Sequence, residues 1–336
     1  MTNKKAVFLG PPDRGHIGNV FDQAFHDWSK ANLEWVPLVI DRDNAEAHRD
    51  ALRDVEVAFS TWGMPLFTEE ELESYFPSLR IVFYAAGTVQ AFARPFLARS
   101  IRVVSAWAAN AIPVAEYTVA QIVLANKGFY QASRHYKQSF GTARETSERY
   151  PGNFGARVGI LGAGMIGRNV IERLRAYELT IDVFDPFLSE ERASEMGVVK
   201  AELVELFARC DTISNHLANL PATVGILHKE HFDRMLPHAT FINTGRGAQV
   251  VEEDLIRALR EVPTRTALLD VTHPEPVRED SELLRLDNVV LTPHIAGSIS
   301  REVARMGRYM AEECGRYLKG EPLRYEVKVE MLETMA

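Results

Sequence analysis

Three polar residues can do chemistry together: Arg246, Glu275 and His294. Each lies just past a short apolar run, in Thr244-Gly245-Arg246-Gly247, in Asp270-Val271-Thr272-His273-Pro274-Glu275-Pro276, and in Thr292-Pro293-His294-Ile295-Ala296-Gly297. An arginine between glycines can hold a carboxylate or carbonyl oxygen in a planar, charge-assisted fork, which lysine does less well. An imidazole can give or take a hydroxyl proton while hydride moves. A carboxylate within about 4–6 Å favours the imidazolium form that protonates a carbonyl. The set suits oxidoreduction of a 2-hydroxy acid. Each member has a plainer alternative: Arg246 as an ion-pair partner of Asp270, Glu275 as a solvated turn residue, His294 as a turn residue. Their conjunction carries the inference.

A second motif supplies what such chemistry needs. Gly162-Ala163-Gly164-Met165-Ile166-Gly167 follows the apolar run Arg157-Leu161, opens a helical pattern, and is succeeded by a run ending at Asp185, 23 residues after Gly162. The glycines permit a tight turn, close approach of backbone to a pyrophosphate, and close packing of helix on strand. The helix N-terminus offers unpaired N–H groups and partial positive charge. An acid at 185 takes ribose hydroxyls and repels a 2′-phosphate, and Pro186-Phe187-Leu188 brings no arginine, so NAD is expected over NADP.

These residues need a scaffold, and the alternation of apolar runs with amphipathic ones provides it. Strands are expected at Val158-Leu161, Thr180-Phe184, Thr212-Asn215, Thr240-Asn243, Thr266-Leu269 and Val289-Thr292. Looser candidates precede them at Ala6-Leu9, Glu34-Val39, Val55-Ser60, Arg80-Tyr84 and Arg102-Ser105. Continuous apolar strands between helices mean parallel sheets covered on both faces, and ligands of such sheets sit beyond the C-terminal strand ends. An acidic helix starts at Thr68, where Thr68 and Glu71 can form a capping box. A long helix is expected from Asn110 to about Lys137, with Pro113 in its first turn, then a loop over 138–156 and a last helix from Arg301 to Leu318. The expected fold is α/β, two doubly wound parallel-sheet (Rossmann/flavodoxin-like) domains joined by long inter-domain helices. The boundaries read are 1–109 plus 299–336, a discontinuous substrate-binding domain, and 110–298, the NAD-binding domain.

Composition limits the function classes. The 336 residues carry a net charge of -8 and 46% hydrophobic residues. That charge offers no attraction to a polyphosphate backbone or an anionic membrane, so neither nucleic acid nor membrane is an expected partner. Cys210 and Cys314 are too few for a disulfide framework and suit a reducing compartment. The run Val7-Phe8-Leu9 is too short for a secretory signal. The stretch Ala111–Ala125 is interrupted by Pro113, Glu116 and Gln121, which speaks against a membrane span. A soluble, cytoplasmic protein is expected. His228 and His231 lack a third ligand, so no metal is expected. Trp62 and Met64, in a loop just after a strand, either line a substrate pocket or fill the inter-domain core.

The motifs resemble those of the D-isomer-specific 2-hydroxyacid dehydrogenases over about residues 50–320. The similarity rests on Asn110-Ala111 with Val114-Ala115-Glu116, Gly159 to Gly167 with Asp185-Pro186-Phe187, Ile242 to Gly247, Asp270 followed by Glu275-Pro276, and Thr292 to Gly297. It implies Arg246 as substrate-orienting residue, His294 as acid/base and Glu275 as its partner. Thr244 and Asp270 then stand on the cofactor side, and Ala86-Gly87-Thr88 presents backbone N–H groups to the substrate carboxylate. A homodimer joined largely through the NAD domain is implied as well. Position 273 is His where the family often has Glu, residues 217–221 read Leu-Ala-Asn-Leu-Pro, and Thr61-Trp62-Gly63-Met64-Pro65 is bulkier than glyoxylate-type enzymes lead one to expect. These departures bear on the substrate, not on the reaction class. Formate dehydrogenases share the scaffold but carry glutamine where Glu275 stands, and the longer phosphoglycerate dehydrogenases carry a C-terminal regulatory extension. From another class, an NAD-sensing, corepressor-like binding protein is the alternative; no protein-docking segment is evident.

Overall fold

The computed structural model describes residues 3–13 and 15–334. The chain forms two compact units, Met1–Ala111 with Ser298–Ala336, and Ile112–Gly297. It passes from the first to the second within the helix Trp107–Asn126.

The first unit contains the strands β1 (Lys4–Leu9), β2 (Leu33–Ile40), β3 (Val57–Ser60), β4 (Ile81–Tyr84) and β5 (Arg102–Ser105), with β13 (Glu326–Val327) antiparallel at one edge. Their order is β13-β5-β4-β3-β1-β2. Alternation along β1 divides the core: Ala6 joins one apolar cluster, with Phe8 packed against it, while Val7 and Leu9 join the cluster on the opposite face. The last long helix, Val303–Leu318, supplies Met306, Met310 and Cys314 to the first of these. Thr68 caps the acidic helix Glu69–Tyr75 through a reciprocal box with Glu71.

The second unit has seven parallel strands: β6 (Arg157–Leu161), β7 (Thr180–Phe184), β8 (Val199–Lys200), β9 (Thr212–Asn215), β10 (Thr240–Asn243), β11 (Thr266–Leu269) and β12 (Val289–Leu291). The order β12-β11-β10-β9-β6-β7-β8 reverses between β6 and β9, and that reversal opens a ligand crevice at the C-terminal strand ends. Again the faces alternate, with Phe241 in one cluster and its neighbour Ile242 in the other.

The departures from expectation have local causes. The helix expected over 110–137 is two helices, Trp107–Asn126 and Phe129–Tyr136. Gly128 lies between them at φ 65, and the ring of Tyr150 occupies the space a Cβ there would need, 2.3 Å away. Because the first of these helices starts at Trp107, Pro113 sits inside it rather than in its first turn. The segment expected as loop holds the helix Phe140–Ser147, whose first turn is capped by Ser139 accepting from the Thr142 N–H. The two-residue edge strands β8 and β13 are too short to show a period. Pro113, Glu116 and Gln121 do not keep Trp107–Asn126 below the length and apolarity of a membrane-crossing helix; 44% of it is buried inside the protein, Ala115 and Ile122 in the second unit's core.

Candidate active site

In the second unit the expected residues lie on successive strand ends. Asp270 follows β11 and is buried, 3% exposed. Its Oδ1 accepts from the Thr292 hydroxyl at 2.6 Å and the Ile295 N–H at 2.8 Å, and its Oδ2 accepts from the Ala296 N–H at 2.9 Å. Its own carbonyl accepts the His294 N–H at 3.0 Å. The loop after β12 is therefore tied to the end of β11 on both sides of His294, which adopts a left-handed φ of 55. That conformation costs a residue with a Cβ roughly 1 kcal/mol, and four hydrogen bonds to one aspartate offset it. The result is an exposed imidazole whose Nδ1 stands 2.6 Å from Glu275 Oε1. A carboxylate at that distance accepts a hydrogen bond from Nδ1–H and leaves Nε2 as the exchanging nitrogen.

Arg246 is half-buried in the turn after β10, and one of its guanidinium nitrogens donates to the Gly245 carbonyl at 2.8 Å. Burial pushes its pKa below the usual arginine range, and the negative charge of Glu275 partly restores it. Among the described residues it makes no ion pair, so the Asp270 pairing considered from the sequence does not form. Gly247 lets this turn run against the next loop: a Cβ there would lie 2.0 Å from the Thr272 carbonyl carbon.

The glycine motif forms the other side of the crevice. Gly162, at φ 92, abuts the His216 carbonyl, which a Cβ would meet at 2.7 Å, and a Cβ on Gly167 would lie 1.9 Å from the Gly162 oxygen. Gly164 has nothing within 4 Å of its Cβ position and starts the helix Met165–Leu174 with no side-chain cap. Met165 is exposed, whereas Ile166 packs on the core. An open glycine at an uncapped ten-residue helix fits a pyrophosphate. Asp185 follows β7, its carboxylate accepting from the Ala163 N–H at 2.7 Å and the Phe187 N–H at 2.8 Å. Thr244 is buried; its hydroxyl lies 3.4 Å from both His216 Nδ1 and Thr118 Oγ1. Burial holds the His216 imidazole down to about 3.

The first unit carries the remaining expected residues. Ala86 is buried, and its carbonyl accepts from Ser105 Oγ at 2.9 Å. Gly87 and Thr88 follow, and among the described residues their backbone N–H groups have no partner within the protein. Met64 packs in the apolar core of this unit and is 9% exposed. Trp62 is half-buried, with its ring 5.4 Å from that of His16 and edge-on to it.

Sequence reasoning missed the buried amides that join the turn after β9 to the turn after β10: Asn215, Asn243 and Gln249. A signal was available. Asn215 and Asn243 each end a short strand, and they pair in register.

Residues 119–296 match the family described as D-isomer specific 2-hydroxyacid dehydrogenase, NAD binding domain. Among curated proteins, D-3-phosphoglycerate dehydrogenase of Archaeoglobus fulgidus is 34% identical over 70% of this chain and 44% of its own length. The Bacillus subtilis enzyme of the same name is 34% identical over 66% of this chain and 42% of its own. The chain thus spans less than half the length of these relatives. Among solved structures, apo D-mandelate dehydrogenase of Rhodotorula graminis has a TM-score of 0.80 at 19% identity, covering 97% of this chain and 98% of that one. A glyoxylate reductase from Paecilomyes thermophila gives 0.74 at 22%, covering 98% and 100%. These likenesses establish the fold. With the glycine cradle, its acid and the matched segment together, the chain belongs to the D-isomer specific 2-hydroxyacid dehydrogenase family and takes NAD(H) as its cofactor.

Proposed function

We propose that the protein interconverts a D-2-hydroxy acid and its 2-keto acid, and the observation that carries this is the 2.6 Å contact of His294 Nδ1 with Glu275. When bound, the nicotinamide supplies or accepts the hydride. His294 Nε2 gives a proton to the carbonyl oxygen in reduction and takes the hydroxyl proton in oxidation. Glu275 accepts a hydrogen bond from Nδ1–H, stabilises the imidazolium and holds the ring's orientation. Arg246 orients the substrate's carboxylate and carbonyl oxygen with the guanidinium donors left free by Gly245. Gly162, Gly164, Met165, Ile166 and Gly167 cradle the pyrophosphate, Asp185 takes the ribose hydroxyls in preference to a 2′-phosphate, and Thr244 and Asp270 line the cofactor side. The unpartnered N–H groups of Gly87 and Thr88, beside Ala86, receive the substrate carboxylate.

The substrate's side chain is bulky and apolar in this reading. Trp62, edge-on to the His16 ring, and the exposed Leu66 both lie in the loop after β3. Arg14 lies outside the described residues; no other lysine or arginine occurs in the segments 10–16, 61–67 and 85–92 to meet a phosphate. A homodimer is supported by the exposed Leu124, Phe129, Tyr136 and Phe140, which line one groove on the second unit. Two free, buried cysteines suit the cytoplasm.

The test is a panel of pyruvate, hydroxypyruvate, phenylglyoxylate and phenylpyruvate with NADH and with NADPH, following absorbance of the reduced nicotinamide. Turnover with NADH, fastest on the aromatic acids, is expected. No turnover on any of them, with NADH still bound, favours the cofactor-sensing alternative.

A further inference from the structure

The buried amide of Gln249 meets four groups at once. It is fully buried at the end of the short 3-10 turn Gly247–Gln249. Its Oε1 accepts from Asn215 Nδ2 at 2.7 Å and from the Arg246 backbone N–H at 3.3 Å. Its Nε2 donates to the carbonyls of Leu217 at 3.0 Å and Ala218 at 2.9 Å. Both lone pairs and both protons are thereby used. The neighbouring amides close the network. Asn215 Nδ2 also donates to Asn243 Oδ1 at 3.0 Å, Asn215 Oδ1 accepts the Leu217 N–H at 3.2 Å, and Asn243 Nδ2 donates to the Arg246 carbonyl at 3.2 Å. The Gly245 N–H donates to Asn243 Oδ1 at 3.0 Å.

We propose that Gln249, with Asn215, is a positioning residue for Arg246: it clamps the arginine turn to the turn after β9 and so sets where the guanidinium meets a 2-keto acid. This inference rests on the role proposed for Arg246. Arg246 is held by side chains at both its N–H and its carbonyl, the carbonyl also closing the short turn by accepting the Gln249 backbone N–H at 3.4 Å. The side chains that hold it are the ones tied to residues 215–218. A fully satisfied amide network in a buried site is rigid and specifies one arrangement. Loss of Gln249 takes from Asn215 Nδ2 one of its two acceptors, from the Ala218 carbonyl one of its two donors, and from the Leu217 carbonyl and the Arg246 N–H the partner each has here, and the turn relaxes to satisfy them. The chemistry at His294 is anchored separately, by Asp270, and does not pass through this network.

The experiment is steady-state kinetics on Gln249→Leu and on the double variant Asn215→Leu/Gln249→Leu. The double variant removes the network while leaving no orphaned side-chain amide at 215 or 249, so it folds where the single one fails to. KM is read for whichever of the four panel acids the wild type turns over fastest, and NADH affinity is read by fluorescence titration. We expect KM to rise about tenfold, the loss of roughly one net hydrogen bond's ordering, with kcat within about threefold and NADH affinity within about twofold. An unchanged KM in the folded double variant overturns the proposal. So does a rise in the NADH dissociation constant equal to the rise in KM, which marks a purely structural role. Arg246→Ala separates the two readings. If it too leaves KM unchanged, the role of Arg246 is wrong; if it raises KM while the Gln249 variants do not, only the clamp is.

Discussion

Asp270 and Ile295 are joined by a 2.8 Å hydrogen bond from the Ile295 backbone N–H to the Asp270 carboxylate, one residue beyond His294. The side chain at the end of one strand thereby determines the backbone of the next strand's loop, and with it the direction of the imidazole. Asp270→Asn replaces one acceptor oxygen by a donor facing an N–H. It should cost about 2–4 kcal/mol of stability, read by denaturant unfolding, and lower kcat more than it raises KM.

His294→Asn tests the proton-transfer role without disturbing the turn, because asparagine tolerates the left-handed backbone found at this position. We expect kcat to fall by roughly 10²–10⁴ while NADH affinity and the thermal midpoint hold. Turnover near wild type would remove His294 from the mechanism.

Arg246→Lys keeps the charge and loses the planar fork. KM for the best keto acid should rise by about tenfold or more, with a smaller change in kcat, whereas Arg246→Ala should lower both kcat and substrate affinity. Equal kinetics for wild type and the lysine variant would show that only charge matters here.

Asp185→Ser should raise the preference ratio for NADPH over NADH by at least about tenfold, since the carboxylate that repels a 2′-phosphate is gone. The ratio of kcat/KM values for the two cofactors reads this directly. The same carboxylate holds the Ala163 and Phe187 N–H groups, so a drop in absolute activity accompanies the switch.

His216 predicts a pH effect on stability. Burial lowers its folded pKa from 6.5 to about 3. Between those values the unfolded chain binds a proton that the folded chain does not, so stability rises with pH across the window and is lost as pH falls below about 6.5. By pH 4 the loss amounts to about 3 kcal/mol. His216→Gln, which has no such proton, should flatten this acid limb in unfolding curves taken at successive pH values; an unchanged slope would assign it to other groups.

By itself the sequence determined what depends on near neighbours and on the chemistry of side chains. Thr180–Phe184, Thr212–Asn215, Thr240–Asn243 and Thr266–Leu269 are strands with the bounds read from the sequence, because short β-branched and apolar stretches between helical patterns suit a sheet buried on both faces. The cap at Thr68 and the glycine turn at Gly162 are likewise local. The tertiary structure decided what depends on register and on distant packing. Gln249 meets Asn215 across 34 residues, and only the adjacency of β9 and β10 brings the two amides together. Tyr150 packs on Gly128, between two helices, from 22 residues away, Met64 packs in the first unit's core, and Asp270 spends its carboxylate on a loop instead of on Arg246. A residue's type says which bonds it can make, and the crossover connections of the sheet choose among the partners.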